Sequence, residues 1–111
     1  MKEIKFYPET MDKREKFSLM TTDRSQKMMD LEGAVIDPES WILYLQENQD
    51  GEEVEVLTIR AENAVYSTIS PTFIKKFKQM VDFMGEDLGE IIICSGTSKA
   101  GRKYLTCDLN W

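Results

Sequence analysis

The chain has 111 residues, 41% hydrophobic and 10% aromatic, which describes one folded domain rather than a disordered segment. A chain of this length buries roughly 65% of the surface it exposes when unfolded, enough for one modest core without staples. No run of about 18 apolar residues offers a membrane span. No apolar segment follows Met1-Lys2-Glu3-Ile4-Lys5 to mark secretion, and two cysteines in such a chain read as free thiols of a reducing cytoplasm.

The net charge of −6 is concentrated in one block. Residues 30–62 hold ten carboxylates against the single cation Arg60, whereas residues 1–29 and 63–111 each carry a slight positive excess. A surface for nucleic acid therefore belongs outside the acidic block.

In chain order, Lys2-Glu3-Ile4-Lys5-Phe6-Tyr7 alternates like a short strand and Pro8 stops it. From Thr10 to Met29 the chain is mixed, and residues 1–29 read as an N-terminal arm that partly packs on the domain and partly frays, the alternative being an arm whose Lys13, Arg14, Lys16, Arg24 and Lys27 contact DNA or a neighbouring protomer. Residues 30–111 read as the folded domain. Its first strand material runs from Leu31 to Gln46 and is interrupted at Asp37-Pro38, a turn or bulge signal that leaves open one bent strand or two. Gly33 is a place for such a strand to bend. Asn48-Gln49-Asp50-Gly51 is a hairpin turn, with Asp-Gly supplying a positive φ. A second strand follows from Val54 to Arg60, whose alternation slips at Val56-Leu57 as at a bulge, and a third runs from Ala64 to Ile69 after a turn at Ala61-Glu62-Asn63.

Ser70 then caps a helix with Pro71 at its first position, Phe73, Ile74, Phe77, Met80, Val81 and Met84 form one apolar stripe, and Gly85 stops it. Two apolar runs, Ile91-Ile92-Ile93-Cys94 and Leu105-Thr106-Cys107-Asp108-Leu109, close the chain as a hairpin around Ser95-Gly96-Thr97-Ser98-Lys99-Ala100-Gly101-Arg102-Lys103-Tyr104. Three strands, a helix and two strands is the order of an oligonucleotide/oligosaccharide-binding (OB) fold. The expected architecture is mainly β, an OB-like five-stranded barrel with one helix between strands three and four.

Catalysis finds little support. Histidine is absent, and no CxxC or Cys/His cluster exists to hold a metal. A register closed by the glycine loop sets Cys94 near Tyr104 rather than opposite Cys107, so the cysteines read as small buried hydrophobes. Asp50, Glu52, Glu53 and Glu55 lack calcium-loop spacing, and the basic loop lacks the order of a phosphate-binding loop. No enzyme and no cofactor is expected.

Aromatics beside cations on β structure remain. Rings in strands stack the bases of single strands while Lys and Arg follow the phosphates. The candidate DNA-binding residues are Tyr66, Lys99, Arg102, Lys103 and Tyr104, with Trp41 and Tyr44 behind them among apolar neighbours, and Trp111 ending the chain. Alternation gives Tyr66 and Tyr104 the outward parity of Thr68 and Thr106, and Val65, Leu105, Cys107 and Leu109 the inward one.

The segment Ala64-Val65-Tyr66-Ser67-Thr68-Ile69-Ser70, a helix, and then Ile91 to Leu105 with its Gly96-Thr97-Ser98-Lys99-Ala100-Gly101 loop resembles the single-stranded DNA-binding proteins of small tailed phages with protein-primed replication. The resemblance covers the last 48 residues or so. It implies a replication protein that coats displaced single strands in the bacterial host cytoplasm, without catalysis or sequence preference. It places binding on Tyr66, Lys99, Arg102, Lys103 and Tyr104, with single-stranded DNA as partner, self-association along the strand, and contacts to replication proteins. The alternative is a phage-encoded interaction protein whose acidic block docks a basic host surface.

Overall fold

The computed structural model describes residues 3–8, 11–22, 25–62 and 64–110. Arg24, Asn63 and Trp111, singled out above, lie outside the described residues. The strands are β1 (Glu3–Phe6), β2 (Gln26–Lys27), β3 (Val35–Ile36), β4 (Pro38–Glu47), β5 (Glu53–Ala61), β6 (Ala64–Thr68), β7 (Ile91–Thr97) and β8 (Lys103–Leu109), with helices α1 (Lys13–Thr21) and α2 (Pro71–Met84). They form a five-stranded sheet, β1-β4-β5-β6-β2, and a three-stranded sheet, β3-β7-β8. Among the described residues no helix is long and apolar enough to cross a membrane.

Asp37 is the switch between the two sheets. Before it, β3 pairs antiparallel with β7, and after it, β4 pairs with β1 and β5. Proline at 38 lacks the ladder N–H, and the register shifts between Pro38 and Ser40, so the Asp-Pro signal marks where one run of chain leaves one sheet for the other. Gly33 takes φ +86° in the turn before β3, not within a strand. The barrel does not close: β6 pairs with β2 in parallel, and β8 is left as the outer strand of the smaller sheet.

The main core lies between the two sheets and α2. Ile91, Ile93, Leu105 and Cys107 of the smaller sheet share one buried cluster with Leu43, Leu57 and Ile59 of the larger sheet and with Phe73 and Phe77 of α2. Ser70 caps α2, its hydroxyl accepting from the Phe73 amide at 3.3 Å, and Gly85 ends it at φ +57°, as the sequence predicts. The same hydroxyl donates to the Leu105 carbonyl at 3.0 Å, tying the start of the helix to β8.

A second, smaller core occupies the other face of the larger sheet. Met11 and Leu19 bury Ile42 and Tyr44 there, with Met20, Val56 and Val65 against them. Both faces of β4 and β5 are thus covered. That is why Trp41-Ile42-Leu43-Tyr44 and Val56-Leu57 lose alternation; the β4–β5 ladder passes Val56 and Leu57 without the expected bulge. Helix α1 is a departure from the expected arm. Asp12 caps it by accepting from the Glu15 amide at 2.8 Å, and Glu15 meets Arg60 of β5 at 3.4 Å. The boundary expected after residue 29 falls inside the packing, since β1 and β2 belong to the larger sheet and Met28 is fully buried in the main core.

Candidate nucleic-acid interface

Two hairpin turns share one backbone design and carry opposite charge. In residues 48–52 the Asn48 amide donates to the Glu52 carbonyl at 2.8 Å and the Gly51 amide to the Asn48 carbonyl at 3.1 Å. In residues 98–102 Ser98 and Arg102 repeat the first bond at 2.8 Å, and Gly101 and Ser98 the second at 2.9 Å. Gly51 and Gly101 stand at φ +81° and +79°, where a Cβ is strained. Side-chain oxygens of Asn48 and Ser98 accept from the amides of Glu52 and Arg102, so each turn is held by its first residue. The first turn offers carboxylates, the second Lys99 and Arg102, both exposed and in no ion pair among the described residues.

The β7–β8 register pairs Gly96 with Tyr104 and Thr97 with Lys103. Cys94 stands opposite Thr106 and Cys107 opposite Ile93, so the register is two residues away from the expected one, because the connecting loop holds all of residues 98–102. Tyr104 lies on the sheet face turned away from the core and is 38% exposed. Its ring leans across the strand onto Gly96, where a Cβ would collide with the hydroxyl end of the ring. The glycine is required by this close approach rather than by its φ. One edge of the ring is therefore seated on backbone, and the residue keeps part of its surface in solvent.

The other candidates are placed differently. Tyr66 pairs with Ile59 and packs, half-buried, against the main core; Thr68 shares its face, while Val65 joins the second core. This corrects the outward parity expected of Tyr66, which arose because both faces of the sheet are covered and alternation carries no inside-outside signal. Tyr66 and Tyr104 thus stand in different sheets on faces of opposite kind. Trp41 and Tyr44 are 8% and 5% exposed. The Trp41 ring meets Phe77 edge-on with centroids 5.4 Å apart, and Tyr44 lies in the core beneath α1, so neither offers a ring to a base. Lys103 is engaged, its Nζ 2.7 Å from Oε2 of Glu32, whose other oxygen accepts from the Ser95 hydroxyl. These two partners hold the Glu32 carboxyl below its ordinary value, the Lys103 hydrogen bond contributing most. Sequence reading missed Glu32 and Ser95, because a pair 71 positions apart leaves no local signal.

A cleft of about 620 Å³ is lined by Tyr7, Trp41, Val81 and Leu88 with Asp37 and Glu39 at its side, a poor setting for phosphate. Among the described residues no group of three His, Cys, Asp or Glu is placed to hold a metal.

Burial pushes the Cys107 thiol up to about 12, with Cys94 adding a smaller effect. Its sulfur packs 3.9 Å from that of Met80. The folded protein is expected to show no reaction of Cys107 with a disulfide reagent at pH 8, while half-buried Cys94 reacts and urea releases both thiols. Because the unfolded thiol ionises near 9 and the folded one near 12, stability from this group is intact below pH 9 and falls as pH rises from there. Equal labelling of both thiols without denaturant would contradict that burial.

Comparison with family models, curated proteins and solved structures finds no match.

Proposed function

We propose that this protein binds single-stranded DNA without catalysis, and that the β7–β8 hairpin is its principal contact. The observation that carries the reading is the juxtaposition at the hairpin end: a partly exposed tyrosine ring seated on Gly96, beside a hydrogen-bonded turn that presents Lys99 and Arg102 with no ion pair among the described residues. A ring with an open surface stacks any base, which gives affinity without sequence preference, and cations at the turn meet the flanking phosphates. The resemblance of the Tyr66–Ser70 and Gly96–Gly101 segments to phage single-strand binders points the same way, toward a protein that coats displaced strands during phage replication. An OB-like scaffold fits this reading. Its support is the bent run β3–β4 shared by two sheets, a helix between the third and fourth long strands, and a final hairpin.

Two exposed cations and one ring give weak binding per protomer, so coverage of a strand depends on cooperativity between neighbours. Fluorescence titration with oligo(dT) at low salt tests the reading. Binding in the micromolar range is expected, with a slope of log K against log salt of about −1.4 for two phosphate contacts. Absence of binding at tens of micromolar would remove DNA as the ligand. It would turn attention to the exposed acidic turn around Glu52 and Glu53 as a docking surface for a basic partner.

A further inference from the structure

We infer that Ser95 and Lys103 form a phosphate site of the DNA-binding hairpin, and that Glu32 occupies it in the free protein as an internal anion. The inference rests on the reading of the hairpin as a single-strand binder. Its basis is the geometry at the root of the basic turn. Lys103 and Ser95 are diagonal neighbours on one face of the β7–β8 ladder, the residues opposite them being Thr97 and Leu105. Both reach the same carboxylate, Lys103 Nζ at 2.7 Å from Oε2 and the Ser95 hydroxyl on Oε1. An ammonium and a hydroxyl gripping two oxygens of one anion is equally a grip for two oxygens of a phosphate.

Glu32 is held there by its own backbone. The next residue, Gly33, donates to the Ile93 carbonyl at 2.7 Å, and Ile93 donates back to Ala34 at 2.9 Å, so the carboxylate is delivered to the hairpin by a fixed stretch of chain. The pair is not sealed from solvent. The Lys103 side chain is 60% exposed and that of Glu32 48%, which leaves room for a competing anion and weakens the hold of the internal one. Lys103 sits on the face opposite Tyr104, at the first position of β8 after the turn and on the outer strand of its sheet. A strand that stacks a base on Tyr104 and passes round the hairpin end past Lys99 and Arg102 arrives at Lys103 next. Glu32 then sets how much of that path is used.

The test compares oligo(dT) binding by the wild-type protein, Glu32→Gln, Glu32→Gln/Lys103→Met and Glu52→Gln, each confirmed folded by its thermal melt. Glutamine keeps the shape and an acceptor for Ser95 but gives up the charge that holds Lys103. Glu32→Gln is expected to make the salt slope more negative by about 0.7, one added phosphate contact, and to tighten binding about eightfold at 50 mM salt. The gain should vanish in the double variant and be absent from Glu52→Gln, which removes the same charge from the distant acidic turn. Equal affinity and slope for Glu32→Gln and wild type, a gain that survives Lys103→Met, or the same gain from Glu52→Gln would each overturn the site while leaving the hairpin reading intact. If none of the four proteins binds DNA, both readings fall together.

Discussion

Phe77→Ala is expected to lower the stability of the fold by about 3–5 kcal/mol, the largest loss from any single truncation considered for this chain. Phe77 is fully buried, meets Trp41 edge-on at 5.4 Å and lies nearly parallel to Phe73 at 6.4 Å. It belongs to the core cluster that joins α2 to both sheets, so nothing nearby is free to collapse into the space it leaves. Domains of this size hold about 5–15 kcal/mol in all, so the urea midpoint of the variant should fall by about a fifth or more. A change below about 1 kcal/mol would mean that the ring does not bridge the two sheets as described.

Tyr104→Ala carries the second large effect, and it falls on binding. Loss of one stacked base costs about 1–3 kcal/mol, which is about 5- to 150-fold in affinity for oligo(dT). Tyr104→Phe should bind like the wild type, because stacking uses the ring and not the hydroxyl. Gly96→Val should weaken binding as well, because the added side chain would occupy the place of the Tyr104 ring and force it off its seat. The three variants together separate stacking from a general disturbance of the hairpin. Tyr104 is a partly exposed residue on the outer face, so its truncation should lower the unfolding midpoint far less than Phe77→Ala does.

Where local chemistry decided the structure, the sequence was legible. Ser70, Pro71 and Gly85 bounded α2 because a cap, a missing N–H and a left-handed stop are properties of single residues. The turns at Gly51 and Gly101 were legible for the same reason. Helix α1 was not, because it buries little more than Leu19 and shows no apolar stripe; its trace in the sequence is the cap Asp12 with Glu15 three places on, without a periodic signal to confirm it. The face of Tyr66 was misread for a different reason. Alternation reports inside and outside only when one face of a sheet is wet, and α1 with Met11 dries the second face of this one. At the candidate interface, composition alone marked Lys99, Arg102 and Tyr104, whereas the seat on Gly96 and the Glu32 contact depend on cross-strand register and on a pairing across most of the chain.

Amide chemical-shift mapping with a short oligo(dT) locates the proposed DNA contact most directly. Large shifts should cluster from Ser95 to Tyr104 and at Glu32, while Asn48 to Glu53 in the acidic turn stay still. Shifts concentrated in the acidic turn or along α1, with residues 95–104 unmoved, would contradict it.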